Sequence, residues 1–385
     1  MNNSMKPLNI LFINCDWRNI FENDFDEVYK KLERDRLNPD INNFLFLSWA
    51  NENYYKIRDE RFSAIHIKTR WKFFRPFFDF LSIFIFPYKV SKIKFKPDII
   101  LVYDFGLLPS AKILKYFFGG TIIFSLTNMP RVYSRARSFG KLKTIYSSVI
   151  EVLYKNFMDK ALTINETMKK YMLELGIKND KIIVFGSDTI NRDIVSIKNS
   201  TSGVIRKKHK IPDDNKIILS IGRLETEKDF PRLLNIFSKL GDKYFLIILG
   251  QGSQENYLKE IIRSLGIENK VIFPGFINRD EIWSYFKDAN LFMLLSKAEA
   301  LGLVFWEAMY MKVPVIGSEA SGIVETIGEN DERGLILRDN NLDVIKKKIE
   351  FCVGDSEEKI EMLERAKSYV ESKINNTIDI NKLML

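Results

Sequence analysis

Residues 291–316 read LFMLLSKAEALGLVFWEAMYMKVPVI, and the order of apolar and polar positions in this stretch decides the fold. An unbroken apolar run, Leu291 to Leu295, predicts a strand buried on both faces. Ser296 to Leu301 follows as a short loop. A helix of roughly ten residues then starts near Gly302, and Lys312-Val313-Pro314 stops it before a second buried strand from Val315. Glu299 falls in the loop and Glu307 about one turn into the helix. A helix start carries unpaired N–H groups and about half a positive charge, so the backbone near Gly302 and Leu303 is a natural seat for phosphate. Carboxylates repel phosphate. The two flanking glutamates therefore suit hydroxyl groups, as on a ribose and a hexose, and the local chemistry suggests a nucleotide-sugar site.

The same alternation of strand and helix extends on both sides. Upstream, KIILSIG (216–222) is a strand ending in Gly222, followed by Arg223-Leu224-Glu225-Thr226-Glu227-Lys228-Asp229. Arg223 offers a planar fork and Lys228 a point charge, on a loop entering a helix, and such a pair can clamp a diphosphate. YFLIILG then leads into Gly250-Gln251-Gly252-Ser253. A dinucleotide fingerprint would need its third glycine at position 255, where Glu255 would face the pyrophosphate, so NAD is excluded. VIFPGF (271–276) is a further strand, and residues 277–288 form a helix with Trp283 and Phe286 inward.

In the first half, residues 8–14, 43–49, 62–68, 97–103 and TIIFSL (121–126) read as strands, with His66 a half-buried structural residue. Asp104 either caps the helix from about Pro109 to Phe118 or faces a cleft as an acid. Asp24-Phe25-Asp26 has a metal-binding spacing but opens a helix-like pattern, where acids serve the helix start. Residues 128–143 form a basic loop with Arg131, Arg135, Arg137, Lys141 and Lys143, suited to an anionic acceptor, a lipid phosphate or plain solvation. A helix runs to about Met158, a strand follows from Lys160, and another helix starts at Asn165. Residues 189–213 are polar and read as a linker. Residues 355–385 predict a long helix, Ser356 to Ser372, and a shorter one, Asp379 to Met384.

Residues 70–96, RWKFFRPFFDFLSIFIFPYKVSKIKFK, interleave phenylalanines with basic residues. Asp79 and Pro87 interrupt the apolar run, which falls short of the ~20 residues a transmembrane helix needs. Insertion into a membrane interface and a core helix with a solvated basic face are both open.

The chain's 385 residues predict two or three domains with full cores, since 46% of the residues are apolar. Two cysteines, Cys15 and Cys352, make no disulfide framework, and two histidines make no zinc site. No signal peptide precedes the first strand. A cytoplasmic location is the default. The net charge of +9 admits an anionic membrane surface or a lysine-rich solvated surface, while no helix-turn-helix, zinc-finger or RNP-like pattern accompanies it, which argues against nucleic acid.

The stretch 291–316 resembles the signature of retaining GT-B glycosyltransferases of family 4, S-x-x-E-G-F-G-L-V-x-x-E-A-M-A-x-G-x-P-V-I. Ser296, Glu299, Gly302, Leu303, Val304, Glu307, Ala308, Met309, Pro314, Val315 and Ile316 fall on it. Ala300 and Lys312 stand where the family has glycine. Gly222, Arg223, Leu224 and Lys228 resemble G-R-L-x-x-x-K-G, with Asp229 in the last glycine place. Ser318 to Glu325 resembles S-x-x-G-G-x-x-E, with Ser321 in the first glycine place. The resemblance is dense over 216–337 and thin before.

It implies an α/β fold of GT-B type: two doubly wound Rossmann-like domains facing a cleft, with a C-terminal helix crossing back to the first. The expected bounds are 1–195 for the acceptor-side domain, 196–368 for the nucleotide-sugar domain and 369–385 for the crossing helix. The resemblance further implies that Glu307 binds ribose hydroxyls and Glu299 touches the donor sugar. Gly222, Arg223, Lys228 and the backbone at Gly302 and Leu303 would hold the diphosphate. The implied donor is a UDP- or GDP-type sugar, with no metal and no separate cofactor. A cell-envelope glycan or lipid-linked sugar acceptor fits the basic aromatic patches of the first half, which also admit an anionic membrane surface as a further partner. An inactive nucleotide-binding scaffold, a nucleotide-sugar epimerase of the same shape and a peripheral membrane protein without enzyme activity remain as alternatives.

Overall fold

The computed structural model describes residues 8–14, 41–50, 54–59, 62–68, 75–126, 141–185 and 193–374. The first sheet holds β1 (Leu8–Asn14), β2 (Ile41–Ala50), β3 (Tyr54–Asp59), β4 (Phe62–Lys68), β5 (Ile99–Val102), β6 (Thr121–Leu126), β7 (Lys160–Thr163) and β8 (Ile182–Val184). Their order is β3-β4-β2-β1-β5-β6-β7-β8, parallel throughout except for the antiparallel pair β3–β4. Parallel neighbours need crossovers. Those described are α1 (Arg75–Lys92), α2 (Leu108–Phe118), α3 (Lys141–Tyr154) and α4 (Glu166–Glu174). β3 has no counterpart in the sequence reading, because Tyr54–Asp59, YYKIRD, carries no unbroken apolar run.

Asp104 caps: its Oδ1 accepts from Gly106 N at 2.9 Å and starts the single turn Phe105–Leu107 ahead of α2. The chain leaves α2 through Gly119 and Gly120, at φ +81° and +93°. At Gly120 a Cβ would lie 2.8 Å from the Pro97 carbonyl oxygen, so both the turn and the close approach require glycine there. α1 packs Phe86 and Val90 into the core over the sheet, so it is a core helix on that side. Its opposite side exposes Phe80, Phe84 and Tyr88. No helix among the described residues is long and apolar enough to cross a membrane.

The second sheet holds β9 (Lys216–Ile221), β10 (Tyr244–Leu249), β11 (Val271–Gly275), β12 (Leu291–Leu294), β13 (Val315–Ser318) and β14 (Leu335–Leu337). The order β11-β10-β9-β12-β13-β14 is parallel throughout. Its helices are α5 (Ile194–Asn199), α6 (Val204–His209), α7 (Phe230–Phe237), α8 (Glu255–Ser264), α9 (Arg279–Asp288), α10 (Leu303–Tyr310), α11 (Ser321–Ile327), α12 (Leu342–Val353) and α13 (Glu357–Ile374). The central strands are apolar on both faces because helices cover both, and every residue of β12 and β13 is buried. Trp283 and Phe286 face inward as the sequence implied.

Two stretches differ from expectation. Residues 193–213 are not a free linker. They fold as α5 and α6: Asp288 Oδ1 accepts from Gly203 N (2.5 Å) and its Oδ2 from Ile205 N (2.8 Å) and Arg206 N (3.2 Å), fastening α6 to α9, while Ser196 Oγ of α5 donates to Asp280 Oδ1 (2.6 Å) of the same helix. Helices of six residues are too short to show a periodicity, so the stretch reads as a linker from sequence. Residues 369–374 continue α13 without a break, and Val370 and Ile374 pack in the second domain's core. Residues 375–385, the Asp24-x-Asp26 segment, the loop after β1 and the loop arginines 131, 135 and 137 lie outside the described residues.

Candidate active site

In a doubly wound sheet the strand order reverses at one place, and the loops leaving the two strands there diverge to open a crevice. Here the reversal falls between β9 and β12, which pair directly through Leu291↔Ile218 and Phe292↔Leu219. The loops in question are 222–229 and 295–302. Lys297 N donates to Glu227 O (2.8 Å) and ties one to the other. Across them Lys228 Nζ meets Glu299 Oε2 at 2.5 Å, with both side chains nearly buried. Arg223 Nη2 meets Glu227 Oε1 at 2.9 Å; the arginine is half exposed and the glutamate wholly buried. Lys297 Nζ pairs with Asp229 Oδ1 at 3.2 Å. Gly222, Arg223, Lys228, Glu299, Gly302 and Leu303 thus converge where the sequence placed them together.

The loop 295–302 is held by its own carbonyls. Ser318 Oγ donates to Ser296 O (2.5 Å), Gly322 N to Glu299 O (3.1 Å), Asn165 Nδ2 to Ala300 O (2.7 Å) and Thr326 Oγ1 to Leu301 O (3.0 Å). Four donors from three elements leave little freedom for Glu299. Gly302, at φ +70°, turns the chain into α10, and no side chain caps that helix start. A Cβ on Gly322 would lie 2.3 Å from Ala300 O, so the second glycine of the S-x-x-G-G-x-x-E-like segment is a packing requirement.

The departures from the resembled pattern have a backbone reading. Asp229 (φ +50°) and Lys312 (φ +57°) both sit in the left-handed region, where glycine carries no steric penalty. Gly250 and Gly252 serve packing: a Cβ on Gly250 would lie 1.9 Å from Gly222 O, and one on Gly252 2.5 Å from Leu224 O. Leu224 N→Gln251 O (3.0 Å) and Gln254 N→Leu224 O (2.9 Å) complete that contact. The G-x-G therefore lets the loop after β10 lie against the loop carrying Arg223.

Glu307 lies deeper, 2% exposed, on the inner face of α10. Arg279 Nη2 approaches its Oε1 at 2.7 Å, and Arg279 Nε donates to Asp193 Oδ2 at 2.5 Å. The Arg279 guanidinium also lies 5.2 Å from the centre of the Trp283 ring. Glu307 Oε2 is buried with no hydrogen-bond partner among the described residues. Burial pushes the Glu307 carboxyl up, the Arg279 charge pulls it part of the way back, and the net direction is up. Burial pulls Arg279 down, but the charges of Glu307 and Asp193 outweigh it, and the guanidinium is more firmly protonated than usual.

The first domain reaches this site through the start of α4. Asn165 caps its own helix, Oδ1 accepting from Met168 N (2.9 Å), while its amide holds Ala300 O. Glu325, on α11, accepts from Glu166 N (2.9 Å) and Thr167 N (2.8 Å). Arg279, Asp193 and Asn165 have no site role in the sequence reading. Each sits in a segment whose polar residues look like ordinary helix ends, and only Glu325 had a motif to mark it.

Residues 202–370 match the family model described as glycosyl transferases group 1. The second domain is a group 1 glycosyltransferase domain. An uncharacterized glycosyltransferase of Methanocaldococcus jannaschii is 27% identical over 250 residues, 62% of this chain and 64% of that one. The alpha-monoglucosyldiacylglycerol synthase of Streptococcus pneumoniae is 30% identical over 179 residues, 45% of this chain and 41% of that one. These matches span less than two thirds of each relative's length. The solved structure of Anabaena Alr3699/HepE in complex with UDP and glucose superposes with a TM-score of 0.67 at 15% identity, covering 98% of this chain and 97% of that one. The group 1 domain and its partner sheet together have the GT-B fold.

Proposed function

We propose that the chain is a retaining glycosyltransferase of family 4. It moves a sugar from a nucleoside diphosphate sugar of the UDP or GDP type to a cell-envelope glycan or lipid-linked acceptor on the cytoplasmic side. The observation that carries the reading is Glu307. A buried carboxylate is oriented by Arg279 through one oxygen, and its other oxygen lacks a partner among the described residues. A ribose hydroxyl would satisfy it, because an unpaired buried acceptor costs about 1–3 kcal/mol that a ligand donor recovers.

The rest of the crevice supplies the other parts. Lys228, Arg223, the backbone at Gly222 and the uncapped amides at the start of α10 face the diphosphate. Glu299, fixed through its carbonyl and paired to Lys228, faces the donor hexose. The bond from the anomeric carbon to the diphosphate oxygen breaks, and charge grows on the leaving diphosphate. Preset cations and amides meet that charge without reorganising. The acceptor hydroxyl oxygen bonds to the same face of the anomeric carbon, and its proton leaves on the diphosphate oxygen. Positive charge comes from Lys228, Arg223 and the helix end, so no metal is needed for the departure. Relatives named alpha-monoglucosyldiacylglycerol synthase, of Streptococcus pneumoniae, and capsular polysaccharide biosynthesis glycosyltransferase, of Staphylococcus aureus, support the acceptor class.

A thermal-shift screen against UDP, GDP, ADP, CMP and NAD tests the site, with Glu307→Gln as the control. A nucleotide at 100 times its Kd stabilises by about 2.7 kcal/mol. A UDP or GDP shift that the variant loses supports the reading, and a response to NAD alone refutes it.

A further inference from the structure

The first domain carries exposed apolar stripes on two of its helices. On α1, Phe80, Phe84 and Tyr88 recur every fourth residue and are 58–61% exposed. On α3, Ile145, Val149 and Val152 recur at helical spacing and are 48–58% exposed. The inward sides of both helices, Phe86 and Val90 on one and Ile150 and Tyr154 on the other, join one core over the same sheet, and both helices contact the turn at Phe105–Leu107. The two outward stripes therefore lie on the outer side of one helix layer. The Phe80 and Phe84 rings pair at 5.6 Å, leaving both rings open to the outside.

The sequence that supplies this layer is one-sided in charge. Residues 61–150 hold 16 Lys and Arg against three acids, Asp79, Asp98 and Asp104. Two of those acids are engaged inside the domain: Asp98 accepts from Asn9 N at 2.7 Å and Asp104 caps the turn before α2. Lys92 lies 5.4 Å from the centre of the Tyr88 ring, and Lys94 and Lys96 follow α1 directly. An apolar stripe rimmed by lysines matches an interface in which the rings enter the acyl boundary and the ammonium groups meet lipid phosphate. A second copy of this chain would bring the same excess of positive charge against itself. Nucleic acid would take the lysines but leave the isoleucine and valines of α3 unburied.

We infer that the outer faces of α1 and α3 dock this protein on an anionic lipid bilayer. The inference stands apart from the donor site and needs no turnover.

Flotation of the full chain with phosphatidylcholine vesicles, with and without about one third phosphatidylglycerol, tests it. The expected result is binding to the anionic vesicles only, weakened by salt and reduced at least tenfold in the triple variant Phe80→Ser, Phe84→Ser, Tyr88→Ser. A second variant, Ile145→Ser with Val149→Ser, decides the matter should the triple variant fail to fold, and circular dichroism with the nucleotide thermal shift checks folding of both. Failure of the wild-type chain to float, or equal flotation of a folded variant, overturns the inference and leaves glycosyl transfer standing. A dimer in sedimentation equilibrium that the same substitutions dissociate, without vesicle binding, overturns it in favour of contact between copies.

Discussion

Arg279→Ala isolates a buried charge and should show it in two ways. In the wild-type chain Glu307 is 2% exposed and its charge is balanced at 2.7 Å by Arg279. Breaking a buried pair from one side costs about 3–5 kcal/mol, because the surviving charge stays in the interior. Arg279 is itself about one third exposed, so water partly fills its place and the lower bound, about 3 kcal/mol, is the working figure. At about 2–4 °C per kcal/mol for a domain of this size, the melting temperature should fall by about 6–12 °C at neutral pH. The second signature is pH. Burial already holds the Glu307 carboxyl above its ordinary value, and removal of Arg279 raises it further, with Asp193 left nearby as a like charge. A carboxyl raised on folding stabilises the native state most when protonated, and that contribution is lost as pH rises through its folded pKa. The variant's deficit should therefore shrink as pH is lowered from neutral toward the mildly acidic range, since a neutral Glu307 needs no partner. Calorimetric or fluorescence melts of both proteins across that range measure it. A deficit of the same size at every pH, or none at neutral pH, refutes the argument that Arg279 acts by balancing Glu307. Arg279→Lys, with a point charge unable to span both Asp193 and Glu307, should fall between the two.

Asn165→Asp keeps the cap on α4 but replaces the donor to Ala300 O with a carboxylate; turnover should fall at least tenfold while the melting temperature drops by less than about 4 °C, as checked by donor hydrolysis and melts. Gly252→Ala places a Cβ 2.5 Å from Leu224 O and should cost about 1–3 kcal/mol and abolish the nucleotide-induced thermal shift; a normal shift would show that the loop adapts. Lys312→Gly relieves a residue at φ +57° but loses its ion pair with Glu364 and adds freedom to the unfolded chain, so stability should rise by no more than about 1 kcal/mol. A fall of a kilocalorie or more there would sink the backbone reading. Burial pushes the Cys352 thiol up to about 12, so in a Cys15→Ser background alkylation at mildly alkaline pH should wait for unfolding of α12; prompt labelling of the native chain would contradict that.

The second domain was legible because its strands are buried on both faces and therefore appear as unbroken apolar runs. KIILSI, YFLIIL and LFML announce themselves, and the loops after the first and the last of them fall at the switch point between β9 and β12. Glu299 and Glu307 were legible by their company, and Lys228 by its distance from Gly222. Arg279 was not, because its partners come from residue 193 and residue 307, and no local pattern records a contact across 86 and 28 positions. Asn165 was read only as a helix start, which it is; its second bond, 135 residues away, is a property of the assembled domains. Residues 189–213 read as a linker because each of the two helices found there is only six residues long, too short for a periodicity, and their anchors are distant: Asp288 at the start of α6 and Asp280 on Ser196 of α5.

The α4 start bears on how such proteins can be recombined. Three of its first amides are satisfied in the assembled chain, two by Glu325 of the other domain and one by Asn165, whose own amide reaches back to Ala300. The cap of a helix in one half is thus written partly in the gene segment of the other. A chimera that joins this second domain to a foreign first domain would inherit a carboxylate with no helix beneath it and a loop carbonyl with no donor. Successful fusions should be those whose incoming half presents an amide side chain and an open helix start at the same place, and a library screened for restored glycosyl transfer would select for that pair first.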